Sequence, residues 1–288
     1  MNHLKPAGTE AIQKKGWLVA HKWLLLRRIS QLIILSLFIF SPWLASFIEI
    51  DLVKGNLASS LTLDVLPLTD PYVLLQSVIA GHWPLVSAFL GAIIVTVFYL
   101  LVGGRVYCSW VCPINIITDT AAWLRERLKI KGGIIINRNT RFWLLGFTFL
   151  VALSTASLAW ELINPVSIVF RSLVFGIGLA WGMILAIFLL DFAVSRRAWC
   201  GHLCPVGAFY SLLGHVRFLQ IDAFQRDACN NCMDCFIVCP EQQVIKLPLK
   251  AKQPEISSLI RSSQCTNCGR CIDVCAEDVF KFNLQIKK

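Results

Sequence analysis

The amino-acid sequence predicts an all-α membrane bundle of four helices, built as a two-fold internal repeat and followed by a small α+β domain. Three observations carry that expectation. Long apolar runs alternate with basic stretches, a cysteine motif recurs at the ends of two of those runs, and eight more cysteines crowd into the last 60 residues.

The chain is 56% hydrophobic and only 15% charged, too apolar for an ordinary soluble domain of its size. A helix needs about 20 mostly apolar residues to cross a bilayer core. Four stretches qualify: Ile29–Glu49, Pro84–Gly103, Phe142–Trp160 and Ser172–Val194. Apart from Glu49 at an end, the only formal charge within them is Asp191. The first run is longer than a signal-peptide core and follows a basic leader of 28 residues, so it reads as an uncleaved helix.

Basic residues set the orientation. Lys5, Lys14, Lys15, Lys22, Arg27 and Arg28 precede the first run, and Arg105, Arg125, Arg127, Lys129, Lys131, Arg138 and Arg141 lie between the second and third. Lys54 stands alone among Glu49, Asp51, Asp64 and Asp70 in the first intervening loop, and Arg171 alone in the third. Lys and Arg in short loops mark the cytoplasmic side, which puts both termini there. The net charge of +10 then reads as attraction to an anionic leaflet, not as a nucleic-acid footprint.

Twelve cysteines beside a cytoplasmic tail argue for metal or cluster ligation over disulfides, because that compartment keeps thiols reduced. Cys229, Cys232, Cys235 and Cys239 follow C-x2-C-x2-C-x3-C with Pro240 next, and Cys265, Cys268, Cys271 and Cys275 repeat the spacing. Three cysteines two residues apart wrap one face of a [4Fe–4S] cube, and the fourth of each run reaches the other cube in two-cluster ferredoxins. Cys229, Cys232, Cys235 and Cys275 are therefore expected to hold one cluster, and Cys265, Cys268, Cys271 and Cys239 the other. Structural zinc sites instead pair cysteines across a long gap. The second run ends in Cys275-Ala276 rather than Cys-Pro, and 25 residues, Pro240 to Gln264, separate the runs. An alanine there frees a backbone N–H for a cluster sulfur.

Two more pairs read aromatic-C-x3-C-P: Tyr107-Cys108 to Cys112-Pro113, and Trp199-Cys200 to Cys204-Pro205, 92 residues apart. Upstream stand Asp70-Pro71 and Asn164-Pro165, each an N-cap followed by a first-turn proline, 37 and 35 residues before the first cysteine of their pair, counted from the proline. The membrane part is thus expected to be two parallel copies of one unit. On a continuous α-helix, cysteines at i and i+4 share a face, and Pro113 and Pro205 end or kink the helix beyond. Cys108, Cys112, Cys200 and Cys204 can ligate a metal or cluster, cycle as disulfides, or stay reduced; the repetition argues for a role without choosing it. Arg105, Arg196 and Arg197 favour thiolate and equally serve as positive-inside anchors. His202 reads as interfacial, and Gly178-x3-Gly182-x3-Ala186 as a stripe for close helix packing.

The chain accordingly divides into a basic segment 1–28, a membrane domain 29–205 and a ferredoxin-like domain 206–288 with two [4Fe–4S] sites. The Cys-Ser-Trp-Val-Cys-Pro and Cys-Gly-His-Leu-Cys-Pro pairs, the Cys-Asn-Asn-Cys-Met-Asp-Cys-Phe-Ile-Val-Cys-Pro run, Lys14-Lys15-Gly16-Trp17 and Pro67-Leu68-Thr69-Asp70-Pro71 resemble the family of ferredoxin-type quinol dehydrogenase subunits NapH. The resemblance covers nearly the whole chain. Related families for nitrous oxide reduction and cytochrome oxidase maturation share the cysteine pattern.

That resemblance implies a membrane subunit that oxidises ubiquinol or menaquinol and passes electrons to a periplasmic iron–sulfur partner and a nitrate reductase. The outer segment Pro71–Trp83 together with Asp70, offering Asp70, Gln76 and His82, or the surroundings of Asp191, are the candidate quinol regions, since a carboxylate within a membrane is a functional suspect. The charge rule puts the clusters inside while the implied acceptor lies outside, so electrons cross through the C-x3-C-P cysteines or the clusters serve another purpose. Two competing readings are a reductive assembly or maintenance factor for a partner metalloenzyme, and a membrane scaffold with structural clusters.

Overall fold

A computed structural model describes residues 6–48, 52–130, 132–134, 136–176, 178–215, 217–250 and 257–284. Lys5, Glu49, Asp51 and Lys131, which belong to the charge pattern, lie outside the described residues. Two compact units emerge. One comprises Met1–Ser30, Tyr99–Val111 and Tyr210–Lys288; the other comprises Gln31–Phe98 and Cys112–Phe209.

In the first unit, strand Leu219–Asp222 pairs antiparallel with Lys281–Leu284, aligning Leu219 with Leu284 and Asp222 with Lys281. Short helices Asp234–Val238, Gln243–Lys250 and Arg270–Asp273 follow the cysteine loops. Ile221, Val244, Ile245, Ile260, Val279 and Phe280 form its core together with Cys235, Cys265 and Cys271. The space between the two cysteine runs, read as an insertion, is occupied in part by the helix Gln243–Lys250.

The basic leader is not a free segment. Its helix Thr9–Lys15 ion-pairs through Lys14 to Glu277 at 2.7 Å and through Lys15 to Asp278, while Gly8 N donates to Asp234 Oδ2 at 2.8 Å. Asp273 caps the start of the next long helix, Lys22–Ile48, accepting from Trp23 N at 3.1 Å and Leu24 N at 2.9 Å. Residues 99–111 join the same unit through a close approach of backbones. A Cβ on Gly104 would lie 1.8 Å from Tyr210 O, so only glycine fits there.

The second unit is mainly helical: Pro71–Ile79, Val86–Val102, Ile114–Arg127, Thr140–Thr155, Ala159–Ile163, Pro165–Phe175 and Leu179–Leu189. Asp70 accepts from Tyr72 N at 2.9 Å and Asn164 from Val166 N at 3.1 Å, so both Asx-Pro signals cap helices as expected. A feature absent from the sequence reading is a three-stranded antiparallel sheet, Val53–Gly55, Ser59–Thr62 and Leu66–Thr69.

The apolar runs are realised unevenly. Among the described residues only Lys22–Ser41, of mean hydropathy 1.8, is long and apolar enough by itself to cross a bilayer. The second and third runs become the shorter helices Val86–Val102 and Thr140–Thr155, the latter stopped by left-handed Ala156. The expected span Ser172–Val194 is not one helix. Pro165–Phe175 ends at left-handed Gly176, and Leu179–Leu189 passes into a π-helical turn, Leu190–Val194. The small-residue stripe also differs from expectation, because a Cβ on Gly178 or Gly182 would meet open space.

Candidate iron–sulfur sites and the repeated cysteine turns

Eight cysteines of the first unit surround two hollows. Cys229, Cys232, Cys235 and Cys275 line one, with Phe236, Lys250 and Glu277. Cys239, Cys265, Cys268 and Cys271 line the other, with Glu241 and Arg270. Each hollow thus takes three thiols from one loop and the last thiol of the other run. All are free of disulfides. The loops turn through left-handed Asn231 and Met233 in the first run and Asn267 and Gly269 in the second, bringing cysteines two residues apart to one rim. Gly269 leaves no room for a side chain, since its Cβ would fall 2.6 Å from the Trp23 ring.

Local electrostatics differ between the hollows. Burial pushes the Cys235 thiol up to about 12, and the neighbouring thiolates of Cys232 and Cys275 add to it. Cys271 rises well above the ordinary value for the same reasons. Burial also raises Cys265, against the opposing charges of Arg217 and Arg105. At Cys268 burial is the largest influence and works upward, yet Arg270, Arg27 and a hydrogen bond with Thr266 carry the thiol below its ordinary value. The thiolate is the form that ligates metal. The N–H that reaches Cys275 Sγ, at 3.4 Å, belongs to Val279 rather than to Ala276.

Both C-x3-C motifs form π-helical turns, Tyr107–Val111 and Trp199–Leu203, rather than α-helix. Cys204 N bonds Trp199 O at 2.9 Å, an i to i+5 closure, and Cys204 itself is extended. Cysteines four apart therefore do not stack as they would on an α-helix. The prolines begin helices instead of merely ending them: Pro113 is the N-cap of Ile114–Arg127, and Pro205 opens Pro205–Leu213. Cys108 belongs to the first unit and Cys112, Cys200 and Cys204 to the second.

Within the first unit, the Cys108 turn is bonded to the loop carrying Cys265 and Cys268. Ser109 Oγ donates to Thr266 O at 2.7 Å and Trp110 Nε1 to Asn267 O at 3.1 Å. Asn267 Nδ2 in turn donates to Val102 O and Leu219 O, at 3.1 and 2.8 Å. Arg105 completes the clamp, donating to Gln264 O at 3.0 Å and ion-pairing with Glu241, both partners of the pair being buried.

Within the second unit, the Cys200 turn has its own supports. Trp199 N donates to Asp191 Oδ1 at 2.9 Å, Arg141 Nη1 to Gly201 O at 3.3 Å, and Arg197 ion-pairs with Asp119 at 2.9 Å. Thr118 Oγ1 lies 3.9 Å from Cys200 Sγ. Asp191 is thus placed as a buried acceptor for the turn. Half-buried His202 lies within the turn itself. Arg105 and Arg197, expected either to favour thiolate or to serve as positive-inside anchors, are buried and ion-paired. Aligning the two copies reveals a signal for their role: each stands three residues before the first cysteine, in Arg-x-aromatic-Cys-x3-Cys-Pro.

Of the outer-segment candidates only Gln76 points inward. It is fully buried, its Nε2 donating to the Tyr72 hydroxyl at 3.1 Å, which itself bonds Thr148 Oγ1 at 2.8 Å. Asp70 is spent as a cap, and exposed His82 bonds Ala156 O at 2.9 Å.

Comparison with known proteins agrees with this arrangement. The 4Fe-4S binding domain family matches twice, at residues 84–131 and 172–221, once for each copy of the repeat. The 4Fe-4S dicluster domain family matches 228–279. The Ferredoxin-type protein NapH of Escherichia coli is 47% identical over 279 residues, 97% of this chain and 95% of that protein. The chain belongs to the NapH family of ferredoxin-type proteins. The Methylamine utilization ferredoxin-type protein MauN of Paracoccus denitrificans is 53% identical over 256 residues, 88% of either chain. NapH of Haemophilus influenzae is 44% identical over 282 residues, 98% of this chain and 96% of that protein. No solved structure matches the chain. It is an iron–sulfur protein of the 4Fe-4S ferredoxin type.

Proposed function

We propose that this chain is an inner-membrane subunit that oxidises quinol and passes electrons, through two [4Fe–4S] clusters, toward a periplasmic nitrate reductase by way of an iron–sulfur partner. The carrying observation is the pair of thiol-lined hollows with exchanged fourth cysteines, in a chain whose other unit is built from apolar helices. Cys229, Cys232, Cys235 and Cys275 hold one cluster; Cys239, Cys265, Cys268 and Cys271 hold the other. When bound, the clusters supply one-electron carriers on which the two electrons of a quinol can separate.

Membrane residence of the helical unit is supported by its outward apolar side chains. Ile93, Val97, Trp143, Phe147, Leu150 and Trp181 are all exposed on its helices, and water is a poor solvent for so many large apolar side chains. The four runs cross with both termini cytoplasmic, following the basic loops. Buried Gln76 Oε1 and Trp160 Nε1 have no hydrogen-bond partner among the described residues. Gln76 bonds the Tyr72 hydroxyl and the Trp160 ring packs edge-on to that of Tyr72, so an acceptor and a donor around Tyr72 suit a quinol headgroup, which carries both functions. Cys108, Cys112, Cys200 and Cys204, which follow the second and fourth runs and so lie at the cytoplasmic face, are assigned a redox or metal-ligating role.

A second reading has a specific observation in its favour. Relatives named for methylamine utilisation are as similar to this chain as those named NapH. One type of chain found under such different names suits reductive assembly or maintenance of a partner metalloenzyme. The deciding experiment adds reduced quinol to the protein in lipid vesicles, without oxygen, and follows cluster reduction by electron paramagnetic resonance. Reduction that is lost on replacing Gln76 by Leu supports quinol oxidation. Clusters that stay oxidised with quinol yet accept electrons from a low-potential donor sink it and favour maintenance.

A further inference from the structure

The two hollows differ in the charges buried around them. Beside the one formed by Cys239, Cys265, Cys268 and Cys271 stand Arg27, Arg105, Arg217 and Arg270, each at most 7% exposed. Arg270 lines the hollow directly. Arg217 Nη1 donates to the carbonyl of Cys265 at 3.5 Å, and its Nη2 to Ser262 O at 2.8 Å. Two carboxylates face this set: Glu241, ion-paired with Arg105, and Asp273, which caps the helix carrying Arg27. Among these described groups the four guanidiniums outnumber the two carboxylates.

Around the hollow of Cys229, Cys232, Cys235 and Cys275 the charges are Asp234, Glu10, Glu277, Asp278, Lys14, Lys15 and Lys250. Acidic and basic groups balance more nearly, and several are wet: the Lys14 side chain is 57% exposed and that of Asp278 68%. Exposed charges are screened by water and salt, whereas buried ones act at low effective dielectric.

We infer that the buried arginines Arg217 and Arg270 make the second iron–sulfur site the higher-potential one, so that an electron entering the protein comes to rest beside the Cys108 turn. Reduction adds one negative charge to a cluster, and nearby cations stabilise that state. Burial alone works in the other direction. Against it stand the guanidinium groups of Arg217, bonded to the carbonyl of Cys265, and of Arg270, which lines the hollow. The location follows from the bonds of Ser109 and Trp110 to the loop between Cys265 and Cys268.

The inference rests on the two-cluster reading and is tested on the full chain loaded anaerobically with iron and sulfide. A redox titration followed by electron paramagnetic resonance should give two midpoints. Arg217→Gln and Arg270→Gln should each lower the upper midpoint and leave the lower one in place, while Arg217→Lys should hold both. Glu241→Gln, which frees the charge of Arg105, should raise the upper midpoint. That reversal of sign separates charge from a merely structural effect. Midpoints that shift together, or an upper midpoint unmoved by Arg217→Gln and Arg270→Gln, overturn the inference alone. Iron uptake sufficient for only one cluster overturns the two-cluster reading and this inference with it.

Discussion

The two copies of Arg-x-aromatic-Cys-x3-Cys-Pro have the same local conformation and different attachments. Both are π-helical turns preceded by a buried, ion-paired arginine. In the first copy Arg105 reaches Glu241, just past the first ferredoxin cysteine run, and the turn is bonded to the Cys265–Cys268 loop. In the second, Arg197 reaches Asp119 on the helix after the first copy, and the turn hangs from Asp191 and Arg141. Duplication supplied two equivalent turns, and one of them became the support of an iron–sulfur loop. The residues inside each pair decide part of that difference, Ser109 and Trp110 reaching the loop where the second copy has Gly201 and His202.

The largest effect should come from breaking one arginine pair at a time. Arg105→Leu leaves Glu241 buried without its partner, a change that costs about 3–5 kcal/mol in comparable buried pairs. We expect lost iron–sulfur absorption together with lowered thermal stability, and partial recovery in Arg105→Leu with Glu241→Leu. Arg197→Leu should destabilise by a similar amount while the absorption of the folded protein stays intact. If both variants bleach the clusters equally, the specialisation of the two turns is wrong.

A smaller effect is expected at the turns themselves. Ser109→Ala removes one buried hydrogen bond to Thr266 O, and Asp191→Asn keeps an acceptor for Trp199 N while removing its charge. Each should cost about 1 kcal/mol in denaturant titrations. Only Ser109→Ala should also quicken cluster loss to a chelator; equal rates would erase the distinction.

The caps test the shared part of the repeat. Asp70→Ala and Asn164→Ala should each cost about 1 kcal/mol, because each removes the same acceptor at the same helix position. A difference well beyond that between them would mean that the outer segments have diverged as the turns have. The smallest change concerns the leader: Lys14→Gln loses a largely exposed pair with Glu277 and should cost less than about 1 kcal/mol.

Much of this was legible in the residues, for local reasons. Asp70-Pro71 and Asn164-Pro165 announce caps because an N-cap is completed by its own chain two residues on. Cysteines spaced by two speak for themselves because a tight loop can present three thiols to one object. The apolar runs marked the helices but not their breaks. Gly176 and Ala156 stop helices in left-handed conformations that a hydropathy pattern does not register. The π-helical turns were equally hidden, since an extra residue per turn leaves no composition mark. The hairpin sheet Val53–Thr69 lies in a loop whose short strands carry too little periodicity to read.

By itself the sequence determined the family, the iron–sulfur chemistry and the existence of a repeat, because each depends on residues close together in the chain. Only the tertiary structure decided which arginine meets which carboxylate and which turn supports a cysteine loop. Arg105 and Glu241 are 136 residues apart, and the motif around Arg105 is the motif around Arg197. A shared motif does not say which carboxylate its arginine will meet, so the partner is chosen where the chain brings a buried opposite charge within reach.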